Sequence, residues 1–189
     1  MKYALAVLAT LAVLGLLAVL FPFTGIYNVS AAEGHTGLGE WFLNTTSTRS
    51  IKARADDVAA PADLSDPDVI ARGAVAYGEM CQTCHGGPGA ERSVIGEGLT
   101  PTPPHLSEAA SEWTPGEVYW ILDEGIKMAG MPAFGETHSE EELWELVAFV
   151  ESLPETTPER YAELTAPTGG ESADSTGGAR ASDGHDHVH

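Results

Sequence analysis

Basic side chains are scarce in this 189-residue sequence, where nine Lys or Arg stand against 28 Asp or Glu and the formal net charge is −19. Nucleic-acid phosphates require a basic surface, so the composition excludes nucleic acid as a natural partner. Cysteine is also scarce, because the chain holds only two. Without a second Cys or His pair at metal spacing, a structural zinc site is excluded as well. The length and the hydrophobic fraction of 43% still suffice for one ordinary domain with extensions.

Charge is absent from Tyr3 to Phe23, a run dominated by alanine, leucine and valine. A helix of that length, at about 1.5 Å per residue, crosses a bilayer core of about 30 Å. The run is longer than the apolar core of a usual signal peptide, which favours an anchor over a signal cleaved near residues 29–31. We therefore predict that residues 1–30 are an N-terminal membrane anchor or uncleaved signal.

The few charges around this run predict its orientation. Lys2 precedes it, and Glu33 is the first charge after it. The positive-inside rule then places residues 30 onward outside the cytoplasm. We expect a single-pass protein of the cytoplasmic (inner) membrane with its domain on the periplasmic or extracellular side.

Residues 31–65 are predicted to form a juxtamembrane connector. Apolar and aromatic residues recur there at helical spacing from Leu38 to Thr45, and basic residues follow from Arg49 to Arg54. Two interpretations remain open. The segment is either an interfacial helix on the membrane surface or an ordinary amphipathic helix packed on the domain.

Residues 66–154 are predicted to be the compact domain, with three helices. Asp66 before a proline starts the first, and capping boxes at Thr114 and Ser139 start the second and third. Pro154 ends the third. No stretch shows sustained alternation of apolar and polar residues, so the predicted fold class is all-α.

Residues 155–189 lose the helical pattern and are predicted to be an acidic, disordered tail. From Thr165 onward they contain almost no apolar residues and cannot offset their ordering entropy by burial. The tail ends in His185, His187 and His189, a composition able to bind a transition metal weakly. A plain disordered tail is the preferred interpretation.

Both cysteines lie in a Cys-x-x-Cys-His motif formed by Cys81, Cys84 and His85, which is the attachment pattern for c-type haem. Thiols at this spacing reach the two vinyl groups of one porphyrin edge, and the histidine falls under the iron as an axial ligand. A thioredoxin-like motif needs a βαβ setting that is absent here, and the adjoining histidine disfavours a plain disulfide. We predict one haem c, covalently bound through Cys81 and Cys84.

A second axial ligand is expected from distant sequence. Met131 is the preferred candidate, since glycine and proline flank it in an extended loop between the second and third helices. Met128, His105 and His138 are the alternatives. A thioether ligand favours ferrous iron and raises the potential, which suits an electron carrier.

The other ring nitrogen of His85 is expected to donate to a backbone carbonyl, which fixes the orientation of the ring. The loop that must pass this side of the histidine contains residues 101–104. We predict that one of those residues supplies the acceptor.

These motifs resemble the class I c-type cytochromes, and in particular membrane-anchored monohaem members with a Gly-Met-Pro-x-Phe ligand loop. The resemblance spans residues 25 to about 164 and rests on segments 25–29, 63–67, 81–86, 103–106 and 125–135. It implies three main helices around one haem, with His85 and Met131 on the iron. His105 departs from the pattern, because an acidic residue is expected there.

The resemblance implies one-electron transfer, within a respiratory or photosynthetic chain, by a carrier that is not itself an enzyme. Expected partners are redox proteins with a basic docking patch, or a membrane oxidoreductase complex. One alternative is an integral haem subunit of a larger oxidoreductase, and a less favoured one is a haem-based gas or redox sensor. The acidic composition is explained either by docking or by adaptation to high salt.

Overall fold

A computed structural model describes residues 2–166, which contain helices and two isolated backbone bridges but no β-strand. The all-α prediction is therefore confirmed for this part of the chain. The predicted histidine-ended segment lies outside the described residues. The helices are α1 Lys2–Leu20, α2 Gly37–Ala55, α3 Pro67–Ala76, α4 Gln82–His85, α5 Val94–Glu97, α6 Leu106–Ala109, α7 Pro115–Glu124, α8 Glu140–Ser152 and α9 Pro158–Leu164.

Helix α1 continues into a 3₁₀ turn, Phe21–Thr24, and none of its side chains is buried. It is long and apolar enough to cross a membrane. A fully exposed apolar helix is unfavourable in water, because every leucine on it would order solvent. The helix is therefore a candidate membrane anchor.

Helix α2 is capped by Thr36, whose side chain accepts a hydrogen bond from the backbone of Gly39. Its C-terminal half packs on α7 and buries Ile51 and Ala55. Its N-terminal half instead exposes large apolar side chains to solvent. Packing on the domain is thus observed for the C-terminal half of α2, and an interfacial location of the N-terminal half stays a prediction.

Helices α3 and α8 form the most extensive helix pair of the described chain. They approach so closely that a Cβ on Gly73 would overlap the carbonyl oxygen of Glu145. Around this crossing lie the largest fully buried side chains, which include Tyr77, Leu146 and Phe149. The core of the domain is therefore built on a glycine contact between these helices.

Three predicted helix starts are confirmed. Asp66 accepts from the backbone of Asp68, and capping boxes form at Thr114 with Glu117 and at Ser139 with Glu142. Each cap satisfies backbone N–H groups that have no partner within the helix. These caps fix the ends of the helices that surround the site.

The predicted end of the domain at residue 154 is wrong. Helix α9, Pro158–Leu164, starts at the cap Thr157 and buries Tyr161, which packs on the core. A single aromatic side chain supplies most of this burial, so no apolar stripe marks the helix in the sequence. The packed domain extends at least to Leu164.

Candidate functional site

The Cys-x-x-Cys-His motif lies where α3 changes its winding. Helix α3 ends at Ala76, a single π-helical turn covers Tyr77–Cys81, and α4 carries Gln82–His85. Gly86 then leaves the helix at φ +65°, a conformation that favours glycine. π-turns of this kind frequently occur at functional sites.

A cavity of about 290 Å³ opens beside this motif. Cys81, Cys84, His85 and Met131 all line it, although Met131 comes from a distant loop. The remaining lining is mostly aliphatic and aromatic, with Leu99, Pro101, Leu106, Trp113, Val118, Ile121, Leu122, Ile126, Phe134 and Val150 among it. The volume is near the lower end of the range of about 300–1,000 Å³ usual for ligand pockets.

The chemistry of the lining fits a haem. Two unpaired thiols line the cavity, and an imidazole and a thioether supply nitrogen and sulfur donors to it. Burial raises the pKa of the Cys81 thiol to about 12, so in the haem-free chain it is protonated at neutral pH.

The ring of His85 is held by the backbone. Its Nδ1 lies 2.9 Å from the carbonyl oxygen of Pro104, and because a carbonyl only accepts, Nδ1 donates the proton. Burial lowers the pKa of His85, although this hydrogen bond opposes the shift. The neutral imidazole therefore leaves Nε2 as a lone-pair donor, and the predicted acceptor within residues 101–104 is confirmed as Pro104.

Met131 is presented by a tight loop after α7. The backbones of Ile126 and Met131 exchange two hydrogen bonds, of 3.0 and 3.2 Å, and Gly130 adopts a φ of +70° between them. A Cβ on Gly125 would press against the carbonyl of Met131 at 2.6 Å. The glycines thus let the loop fold back on α7 and turn Met131 to the cavity.

The alternative axial ligands do not line this cavity. Met128 lines a separate cavity, His105 directly precedes α6 with its ring near Gly86, and the ring of His138 packs edge-on against Phe134. Met80, which directly precedes the motif, lines the cavity and packs on the core. Met131 is therefore the candidate that shares the cavity with His85.

Two tyrosines that the sequence did not single out hold the backbone behind the motif. The hydroxyl of Tyr77 donates to the carbonyl of Gly86 at 2.9 Å. The hydroxyl of Tyr161 donates to Gln82 at 3.0 Å and lies 3.5 Å from the same Gly86 oxygen. The ring of Tyr161 also lies where a Cβ on Gly87 would be. The only sequence indication was the run of glycines after His85.

A second cavity, of about 530 Å³, lies between the connector and the loop that covers the first one. His35, Glu40 and Asn44 line it on the connector side, and Glu97 and Thr102 line it on the loop side. The two cavities share wall residues, namely Leu99, Pro101, Thr102, Ile126 and Ala129. The connector is therefore part of the surroundings of the site.

A helical domain in which a Cys-x-x-Cys-His motif and a methionine loop line one apolar cavity has the features of a class I cytochrome c. Residues 68–150 match the family model described as cytochrome c oxidase, cbb3-type, subunit III. No curated protein and no solved structure matches the chain. The domain is a monohaem class I cytochrome c domain similar to that of subunit III, and its cofactor is covalent haem c.

Proposed function

We propose that this protein is a membrane-tethered electron carrier in which Cys81 and Cys84 hold the haem and His85 and Met131 are its axial ligands. The observation that carries the proposal is that these four side chains line one cavity. Bound there, the haem supplies one-electron Fe(III)/Fe(II) chemistry.

The residues of the chain have distinct tasks in this proposal. The aliphatic and aromatic lining excludes water, which lowers the local dielectric around the iron. Pro104 fixes the tautomer of His85, so that Nε2 would be the neutral donor available to the iron. Met131 supplies a soft thioether, which favours the ferrous state and raises the potential.

Absorption spectra of Met131→Ala and of the matched control Met128→Ala test the ligand set. In the ferric protein, the weak far-red band of sulfur-ligated haem is expected to disappear in Met131→Ala and to persist in Met128→Ala. Persistence of the band in Met131→Ala would show that another residue ligates the iron.

We propose a periplasmic or extracellular location for the haem domain, since Lys2 precedes the apolar helix and Glu33 and Glu40 follow it. A cysteine introduced at the exposed Val94 gives a test. In spheroplasts, whose inner membrane is intact, a membrane-impermeant maleimide is expected to label Val94→Cys without lysis. Labelling only after lysis would reverse the orientation.

A second candidate is an integral haem subunit of a larger membrane oxidoreductase. The observation in its favour is the match to a family named for an oxidase subunit. Purification of the full chain in mild detergent separates the two functions. A stoichiometric partner that carries copper, flavin or quinol chemistry supports the subunit, and a haem protein isolated alone supports the carrier.

The charge of the haem domain supports a basic docking partner. Residues 66–153 carry sixteen Asp or Glu against three Lys or Arg. Attraction between an acidic and a basic surface speeds association and is screened by salt. We expect electron-transfer rates with the isolated partner to fall as ionic strength rises. Rates that stay constant up to molar salt would favour high-salt adaptation instead.

A further inference from the structure

The outer face of α2 is an unusual surface for a soluble helix. It consists of Leu38, Trp41, Phe42, Thr45, Arg49 and Lys52, which recur every three or four residues along one side of the helix. The first three residues are large apolar side chains that are 75%, 63% and 60% exposed. The last two are exposed cations. The face is thus apolar at its N-terminal end and basic at its C-terminal end.

The opposite side of α2 already has a partner. Gly39, Leu43, Ser47, Ile51 and Ala55 recur every four residues, and burial increases along this row until Ile51 and Ala55 are buried. Just beyond the helix, Val58 packs so closely on α7 that a Cβ on Gly116 would lie 2.5 Å from its carbonyl oxygen. The outer face therefore remains uncovered while α2 stays attached to the haem domain.

The basic end of this face stands out in an acidic chain. Arg49, Lys52 and Arg54 are three of the nine Lys or Arg residues, and they lie within six positions. Within residues 2–166, none of the three forms an ion pair with a carboxylate. Lys52 contacts the Trp113 ring at 5.9 Å, and Arg54 bonds to Ser50. Arg49 therefore has no carboxylate partner within the described residues.

The membrane anchor lies next to this face in the chain. Residues 25–36 join the turn that ends α1 to the start of α2, and at about 3.3–3.6 Å per residue they reach at most about 40 Å. Exposed apolar side chains mark the path, including Phe23, Tyr27 and Val29. The bilayer surface is thus within reach of the apolar end of α2.

We infer that the outer face of α2 lies in the headgroup region of an anionic membrane, an inference that rests on the proposed anchoring by α1. Leu38, Trp41 and Phe42 enter the boundary between headgroups and acyl chains, which is where tryptophan is favoured. Arg49 meets lipid phosphates with its charged end while its stem covers apolar surface, and Lys52 stays over the Trp113 ring at the edge of the face. Because the other side of α2 packs on α7, the helix holds the haem domain in a fixed orientation on the bilayer.

Spin-label accessibility on the haem-loaded full chain in lipid nanodiscs tests this inference. Single cysteines at Phe42, at Val94 and at Leu14 report on the outer face, on an exposed apolar control and on the anchor, respectively. We expect the Phe42→Cys label to be severalfold more accessible to oxygen and severalfold less accessible to a water-soluble nickel chelate than the Val94→Cys label. An unchanged haem spectrum confirms that each labelled chain is folded.

The charge of the face is tested with Arg49→Glu in the Phe42→Cys background. The shielding from the nickel chelate is expected to weaken in nanodiscs with phosphatidylglycerol and to be unaffected in pure phosphatidylcholine. The matched control is Arg160→Glu, which reverses an exposed cation on α9 and should have no effect in either lipid. If Arg49→Glu and Arg160→Glu have equal effects, the proposed contact between Arg49 and anionic lipid is wrong.

Three outcomes overturn the inference. If the Phe42→Cys label is as accessible to the nickel chelate as the Val94→Cys label while Leu14→Cys reports lipid, the anchor stands and the lipid contact of α2 fails. If the Phe42→Cys label is immobile and shielded from both reagents, another protein surface covers the face. If Leu14→Cys does not report lipid, the proposed anchoring itself fails.

Discussion

Tyr77 donates a hydrogen bond across 2.9 Å to the carbonyl oxygen of Gly86, the residue that follows His85. The ring of Tyr77 is fully buried and packs edge-on against Phe149 at 5.1 Å. The α3–α8 core is thereby connected directly to the backbone of the haem-attachment motif. Stability and the position of His85 are therefore coupled.

Replacement of Tyr77 by phenylalanine is expected to destabilise the haem-loaded protein by about 1 kcal/mol, because it removes the shorter of the two tyrosine hydroxyl contacts to the buried carbonyl of Gly86. Urea unfolding followed by circular dichroism measures the loss. Tyr119→Phe is the control, since its ring stacks on Trp144 at 4.3 Å in a more exposed position. A loss no larger than that of the control would mean that the hydrogen bond contributes nothing.

Two substitutions of Tyr161 should separate the contribution of its ring packing to stability from the contribution of its hydrogen bond. Tyr161→Ala removes an almost completely buried ring and is expected to cost about 3–5 kcal/mol. Tyr161→Phe keeps the ring and loses the bond to Gln82, at a cost of about 1 kcal/mol. The two variants are compared by their unfolding midpoints in urea. If both midpoints equal that of the wild type, α9 is not part of the domain.

Alkaline pH should destabilise the protein through the same tyrosines. Burial raises the pKa of Tyr77 above its ordinary value of 10.0 and raises the pKa of Tyr161 to about 12. Above pH 10 the unfolded chain releases the protons of these two hydroxyls and the folded chain keeps them. The contribution of the tyrosines to the free energy of unfolding is therefore complete below pH 10 and decreases toward pH 12. Unfolding free energies at pH 8 and 11 are expected to differ less in Tyr161→Phe than in wild type. The exposed Tyr27→Phe should match wild type.

Gly73 is predicted to tolerate no side chain. A methyl group there would overlap the backbone of Glu145, which cannot rotate away, so Gly73→Ala is expected to cost about 3 kcal/mol by forcing α3 and α8 apart. In the control Gly37→Ala, the new Cβ meets nothing within 4 Å. Thermal unfolding should show a clear loss for the first variant and little change for the second. If the two variants have equal unfolding midpoints, the close contact between α3 and α8 is not at Gly73.

The parts of the fold that the sequence predicted are those set by local chemistry. The caps at Asp66, Thr114 and Ser139 need only residues within one turn, so their patterns are readable directly. The acceptor for His85 was predicted to within a four-residue loop, because the chain had few places to pass that side of the ring. The ligand role of Met131 stays a prediction, although it shares a cavity with His85.

The parts that were missed depend on contacts between distant residues. Helix α9 contains one buried ring and no apolar stripe, so its packing is visible only when Tyr161 meets Phe149 and Tyr77. The short helices α5 and α6 are not among the three helices predicted for the domain. The second cavity is also invisible in sequence, because it forms between the connector and a loop about sixty residues further on.

The bond between Gln82 and Tyr161 spans 79 residues and has a consequence for the order of assembly. A chain that is synthesised from its N-terminus delivers Cys81, Cys84 and His85 well before it delivers α9. Until then Tyr161 cannot cover Gly87 or reach Gln82, and the segment around both thiols stays open. Haem attachment is thus expected to be easiest before α9 has formed, and the arrival of α9 then closes the segment behind the motif.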